Sequence, residues 1–530
     1  MNAIEGHFPE PRRSPTEPRL CENRGRAIVA PLPPSWRKWS FVVLALALFG
    51  LGLWMRLHDL GLPYDRDGYD EGVYWQSLRA MAAGHRLYGE VFHSQPPVFL
   101  LSVYPFYMLF GRTLWAARLG IAVISMAAPL GACMLGRAIA GRLGALAALA
   151  LMIADPLDLS LSQRIEAEAP QAALSMLAVG LAFTWWASRK GLAGVAWGAC
   201  AGAMLALSIL CKLLGVAAIA PFGLLMLAQL RHVFHQPAGA RLACAGSLLA
   251  GVAGFLGAAI VVLLPYVGSF HSLMGSVVTY HVAAGVVYEN LQQDNFDRIV
   301  PLLTSATAFL ALSSTIIAVI RGDLRVAPVL VWLGATMLML EVQTPLFDRH
   351  LVALIPPILS LTVFGISPVR RGWKLSSIAA NTATVITLVA VVIVVGINLD
   401  RELEYYVSER NQSRGDDMEK VRQAAIVLQE ATLPGQLVIA DDQFAAGLAN
   451  RSTPPDLVDT SFVRIRTKYL TAQQLIQDAS QSNVYAVAFW SGRFHERNLG
   501  DFREWLVSSR RFHLRRQYTS SQERELWIKE

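Results

Sequence analysis

The sequence predicts an all-α polytopic membrane bundle of about eleven transmembrane helices, with interfacial helices in the first outer loop and a C-terminal extracytoplasmic α/β domain. Three observations predict this. Of the 530 residues, 54% are apolar and only 16% charged, and the mean hydropathy is positive. Apolar runs close to the roughly 20 residues that cross a bilayer recur from Phe41 to Ile397, separated by short polar or basic punctuation. Beyond them the composition becomes that of a soluble domain. The chain is accordingly read as a disordered basic cytoplasmic tail (residues 1–38), a membrane domain (39–398) and a soluble domain (399–530).

The Pro- and Arg-rich tail is too polar for a signal peptide, so the first apolar run is expected to stay as a spanning helix. Cys21, Cys133, Cys200, Cys211 and Cys244 lie in the tail or in apolar segments and show no metal spacing, which excludes a disulfide framework and a zinc ribbon. The net charge of +7 does not point to nucleic acid, because the basic residues sit between apolar runs, where they act as topology signals.

Arg12, Arg13, Arg19, Arg24, Arg26, Arg37 and Lys38 place the N-terminus in the cytoplasm. Helix one, Ser40 to Leu57, then delivers Asp70 and Glu71 to the outer face. "PPVFLLSVYPFYMLFG", Pro96 to Gly111, is short, aromatic and interrupted by Pro105, and reads as an interfacial helix. Helix two follows at Leu119 to Leu135, "GRAIAGR" (Gly136 to Arg142) is cytoplasmic, and helix three is Leu143 to Ala154. "DPLDLSLSQRIEAEAP" (Asp155 to Pro170) then lies outside, before helix four. The same alternation puts Ser188 to Lys190, Arg231 to Arg241, Arg321 to Arg325 and Arg370 to Lys374 inside. It puts Cys211 and Lys212, the loop Tyr266 to Arg298, and "VQTPLFDRH" (Val342 to His350) outside. Nearly every basic cluster thus falls on one face. The last run, Ile378 to Ile397, exits outward. In the domain beyond, Gly435 to Asp442 and Asn483 to Trp490 read as buried strands and Thr471 to Ser480 and Asp501 to Ser509 as helices, with a hairpin strand at the end.

Candidate functional residues gather at the outer ends of the helices. Asp70 precedes a helical pattern, Tyr74, Leu78 and Met81, that ends at Gly84, and an aspartate there is a good helix cap. Yet Glu71 stands beside it, and two carboxylates at a membrane surface are costly without a task or a cation. The second outer loop brings Arg164, Glu166 and Glu168, a set that also suits a helix start with an ion pair four residues apart. Lys212 interrupts an apolar run, where a lysine either snorkels to headgroups or meets a lipid phosphate. His281, Tyr288 and Glu289, then Asp348, Arg349 and His350, add to the polar cluster, and arginine suits phosphate because its fork binds two oxygens at once.

"DGYDEGVYWQSLRAMAAGHRLYGEVFHSQPPVFLL", "SLSQRIEAEAP" after helix three and "LALSILCKLLG" further on resemble the GT-C superfamily of membrane glycosyltransferases, in the branch that includes protein O-mannosyltransferases and aminoarabinose transferases. The resemblance extends over roughly the first 370 residues by order of features, with its sharp motifs in the first outer loop. It implies an inverting transfer of a sugar from a polyprenyl-phosphate-linked donor to an extracytoplasmic acceptor. It implies Asp70 as catalytic base with Glu71 beside it, and an assisting acid in the second outer loop, Glu168 or its competitor Glu166. The family often has a lysine before the Pro-Pro pair where this chain has Gln95, so His93 or Lys212 is expected to compensate; Lys212, Arg349 or Arg164 would hold the phosphate, with His350 in the same cluster. No cofactor is required, and the divalent metal that some members bind would here find only Glu71 and His281 as weak candidates. The rival reading is a transporter or flippase of lipid-linked saccharides. It is disfavoured because the charges lie at helix ends and the sequence shows no related halves.

Overall fold

A chain in lipid must satisfy its own backbone N–H and C=O groups, and the apolar runs of this sequence become helices. The computed structural model describes residues 34–63, 69–188, 191–369, 376–518 and 524–529. The chain divides into two units, Met1–Val43 and Leu44–Glu530. Of the first, only the opening turns of the Pro34–Leu57 helix are described. The tail's arginines up to Arg26, Arg189 and Lys190, and the Arg370 to Lys374 cluster lie outside the described residues.

Among the described residues seven helices are long and apolar enough to cross a membrane, or eight if Glu289–Leu303 and Ala306–Ile320, bent by 76°, form one span. The molecule is a multi-pass membrane protein, with fewer such helices than the sequence led us to expect. Part of the difference is a reversal. The expected helices two and three both fall within Leu114–Ile153, which counts as one span. Eight residues of continuous helix would separate their ends by about 12 Å, yet a Cβ added to Gly136 would stand 2.3 Å from the carbonyl oxygen of Gly144. The chain turns back between them, at Ala140 and at Gly141 with φ of 67°, inside the basic "GRAIAGR". Another part is length, since Val326–Val342 has only 17 residues.

The aromatic segment after Pro96 forms the Val98–Leu109 helix of 12 residues. That is about 18 Å long, against about 30 Å of hydrocarbon, so it is too short to cross. Tyr266 to Arg298, expected as a loop, is instead helical along most of its length, from a 3-10 turn at Leu264–Ser269 to the Asn295–Leu303 helix. The last apolar run becomes a helix of 37 residues, Ser377–Ser413, so the change of composition at residue 399 falls inside a helix and not at a break. Its polar extension holds other segments: Tyr406 donates to Asp59 at 2.6 Å and Arg410 reaches the same carboxylate at 2.8 Å.

The C-terminal part is the α/β unit that its sequence predicts. Strands β1 (Leu437–Ala440), β2 (Val484–Phe489), β3 (Phe512–Tyr518) and β4 (Arg524–Lys529) form a sheet of order β1-β2-β4-β3, with β1 and β2 parallel and the other pairs antiparallel. Because side chains alternate along a strand, Ile439, Val487 and Phe489 pack under the Ala472–Ala479 and Gly500–Ser509 helices, while Val438, Ala440, Ala486 and Ala488 pack with Ala425 and Leu428 of the Asp416–Ala431 helix. Thr471 starts the first of these helices with a reciprocal cap, its side chain taking the N–H of Gln474 while Gln474 answers its backbone.

Candidate functional site

Asp70 does not cap its helix. The N-cap is Tyr69, whose side chain makes no capping bond to the first turn of the helix, and Asp70 is the first residue of the Asp70–Ala82 helix. Its carboxylate is thereby available to another partner, and Arg349 Nη2 stands 2.5 Å from its Oδ2.

This short helix is held from two sides. On one, Glu71 takes two hydrogen bonds from the Arg118 guanidinium, at 2.8 and 2.6 Å, and a third from the backbone N–H of Ile165 at 3.1 Å. Glu71 and Arg118 are wholly buried. On the other side lies the C-terminal domain. Thr460 gives its N–H to the Tyr69 hydroxyl at 2.8 Å, Gln76 donates to the carbonyl of Arg451 at 3.0 Å, and Arg79 donates to Asn450 at 3.0 Å. Gly72 allows the closest approach, because a Cβ there would stand 2.4 Å from the backbone nitrogen of Phe444.

Four separate elements bring charge to one place. Arg349, in the 3-10 helix Asp348–Leu354, contacts Asp70 and also approaches Glu168 Oε1 at 3.3 Å. Glu168 opens the Glu168–Ala187 helix. The same oxygen accepts from Lys212 Nζ at 2.5 Å and lies 3.6 Å from His350 Nε2. Lys212 sits where the Gly191–Cys211 helix ends, in extended backbone (φ −156°, ψ 142°) that turns it out of the helical register. Glu168 is thus a buried anion between two cations, Lys212 and Arg349, with the His350 ring beside it. Pairing of this kind is what a buried carboxylate requires.

A cavity of about 790 Å³ opens beside this cluster, lined by Asp70, Lys212, Arg349 and His350 from the helical part and by Asp459, Ser461, Phe462, Arg466 and Arg493 from the C-terminal domain. His93, Gln95, His281 and Tyr288 also line it. His93 is buried against Tyr74 and Phe99, and burial pushes its imidazole down to about 3, so it is a neutral wall. The Tyr74 phenol is pushed well above its usual range, first by burial and then by Asp70 and Glu168.

Glu71, Arg164, Glu166 and Asp348 do not line the cavity. Glu71, expected beside Asp70 in the chemistry, does not line the cavity, because a residue one step along a helix points about 100° away and its oxygens are taken by Arg118. Arg164, expected as a phosphate ligand, donates to the hydroxyl of Tyr405 and pairs with Glu409 at 3.8 Å, both on the Ser377–Ser413 helix. Glu166 is wholly buried in its loop and absent from the lining. Asp348 is exposed and pairs with Arg298 at 3.0 Å. The sequence left open whether the C-terminal domain orients an acceptor or stabilises the outer face, and it marked none of the residues of that domain that line the cavity. The only signal was the basic and aromatic run Ser461 to Arg466, which reads equally well as a solvated surface.

The donor set does not suit a metal ion. Among the described residues no three His, Cys, Asp or Glu side chains are placed to share one. Of the two weak candidates, Glu71 is committed to Arg118, and His281 Nδ1 lies 2.9 Å from the carbonyl of Val277.

Comparison by sequence finds no matching family model and no matching curated protein. Comparison of structures does find similar molecules. The chain superposes on ArnT from Cupriavidus metallidurans bound to undecaprenyl phosphate with a TM-score of 0.52 at 13% identity, covering 93% of this chain and 98% of that one. It also matches an oligosaccharyltransferase from Archaeoglobus fulgidus in complex with Zn and sulfate (TM-score 0.43, 13% identity, 83% and 67% covered). A third match is the arabinosyltransferase EmbB from Mycobacterium smegmatis (TM-score 0.42, 16% identity, 74% and 40% covered). The first superposition establishes that this chain shares the fold of that ArnT molecule.

Proposed function

We propose that this protein is a glycosyltransferase that moves a sugar, with inversion, from a polyprenyl-phosphate-linked donor to an acceptor on the outer side of the membrane. The observation that carries this reading is that Asp70 meets Arg349 and Lys212 at one cavity, with Glu168 fixing both cations from behind. The reading keeps the N-terminus in the cytoplasm and the C-terminal domain outside. That the superposed ArnT molecule is bound to undecaprenyl phosphate, a polyprenyl phosphate, supports the donor class.

The chemistry needs one base and one cationic clamp. The acceptor oxygen attacks the anomeric carbon from the face opposite the phosphate, and the carbon–oxygen bond to phosphate breaks, its electron pair leaving with the phosphate. Arg349 and Lys212 neutralise the charge that develops there, so the leaving group needs no proton. Asp70 takes the acceptor proton. In the absence of donor Arg349 holds the Asp70 carboxylate at 2.5 Å. A donor phosphate competes for the same guanidinium and so releases Asp70 toward the acceptor hydroxyl.

The test is Asp70→Asn in the purified full-length protein. Transfer from a polyprenyl-phosphate-linked sugar falls by about 10²–10⁴-fold, the range typical of a lost general base, while folding stays near wild type. Undiminished transfer rejects the assignment. Movement of the labelled lipid-linked sugar across vesicles without transfer would favour the transport reading instead.

A further inference from the structure

The cavity has a second cationic wall that the chemistry above does not use. Arg493 lies in the loop after β2, which Asp441 anchors by taking the backbone N–H groups of Trp490 at 2.5 Å and Ser491 at 2.9 Å. The guanidinium lies 3.5 Å from the ring centroid of Tyr69 and 5.0 Å from that of Phe462. The same Phe462 ring carries Arg466 at 5.1 Å on its way to Glu496, with which Arg466 pairs at 2.7 Å. Arg493 has no such partner among the described residues, and its buried Nε has no hydrogen-bond acceptor. The carboxylates around it are engaged elsewhere. Asp442 caps a helix through the N–H groups of Phe444 and Ala445, and Asp459 takes the N–H of Ser461 at 2.8 Å.

A guanidinium held against aromatic rings has lost rotamer freedom in advance and keeps N–H groups for an oxyanion. Its place is also informative. Tyr69 is the residue before Asp70, so Arg493 flanks the proposed base on the side of the C-terminal domain, while Arg349 and Lys212 flank it on the side of the helices. Resting on the transferase reading above, the geometry points to an acceptor-anchoring subsite at Arg493, with Arg466 and Ser461 at its rim, for an acceptor that carries a phosphate or carboxylate group. The anion anchors the acceptor. The attacking group is a separate hydroxyl, whose proton Asp70 takes.

The experiment uses purified full-length protein in detergent, first saturated with undecaprenyl phosphate to occupy Lys212 and Arg349. It is then titrated with inorganic phosphate, sodium acetate or uncharged glucose at constant ionic strength, and the thermal midpoint is read. Phosphate raises the wild-type midpoint further, and Arg493→Gln shifts that titration to about tenfold higher concentration or more, the factor that one lost charge-assisted hydrogen bond brings. Arg493→Lys, which keeps the charge but not the fork, falls between and serves alone if the glutamine variant does not fold. Response to phosphate alone assigns a phosphate-bearing acceptor, and response to acetate as well assigns a carboxylate-bearing one. An unchanged titration in both variants, a response to glucose equal to that of the anions, or no response to either anion overturns the subsite. A wild-type midpoint that ignores undecaprenyl phosphate counts against the donor assignment and leaves the Arg493-dependent anion response to be read independently.

Discussion

Glu71 and Asp70 are neighbours in sequence with different tasks, and the Arg118–Glu71 pair shows how to separate them. The Arg118 guanidinium gives two hydrogen bonds to Glu71 and two more to the carbonyls of Leu60 at 3.1 Å and Leu62 at 2.7 Å, all in a wholly buried setting. Arg118→Met keeps an unbranched apolar stem and removes all four. The Glu71 carboxylate then stays buried without its countercharge, which costs about 3–5 kcal/mol. Removing both charges in Glu71→Leu with Arg118→Met leaves no orphaned ion, and most of that loss returns, because replacing a buried pair by apolar side chains is close to neutral. The assay is the denaturation midpoint of the purified protein, read together with sugar transfer per folded molecule. Glu71→Gln is expected to lower the midpoint while folded molecules still transfer. If Glu71→Gln keeps the wild-type midpoint and abolishes transfer, or if Arg118→Met costs less than about 1 kcal/mol, Glu71 belongs to the chemistry and the structural reading is wrong.

The docking of the Asp70 helix on the C-terminal domain gives a test whose sign is decisive. In an open helix Gly→Ala stabilises by about 1 kcal/mol, but the methyl of Gly72→Ala would stand 2.4 Å from the Phe444 backbone, so a loss of about 1–3 kcal/mol is expected; a gain in melting temperature would refute the close approach. His93 predicts a pH dependence of stability. Its folded value near 3 lies below the ordinary 6.5, so the unfolded chain takes up a proton that the folded chain refuses. Stability is unaffected by this group above pH 6.5 and falls by up to about 1.4 kcal/mol per pH unit as pH drops from 6.5 toward 3. His93→Gln should remove one proton's worth of that slope, and equal slopes in the two proteins would refute the burial argument.

The sequence by itself determined the membrane class, most of the helices and the C-terminal α/β unit, because each rests on local regularities: apolar length for a span, a period of two for a strand and a cap for a helix start. It also marked Asp70, Glu168, Lys212, Arg349 and His350, since charge is rare in so apolar a chain and stands out. It left open what depends on distant neighbours. Whether Asp70 caps its helix or faces a distant partner turns on Tyr69 taking the cap position and on Arg349, 279 residues away, reaching it. Glu71 and Arg164 looked equivalent to the residues of the site because sequence shows a charge but not its partner, and Arg118 and Glu409 supply those partners from other helices. The wall built by Ser461, Phe462, Arg466 and Arg493 was invisible for the same reason. A basic and aromatic surface becomes part of a cavity only when folding lays it across the helix that begins at Asp70, and that juxtaposition is set by packing between segments nearly 400 residues apart, not by anything in the local chain.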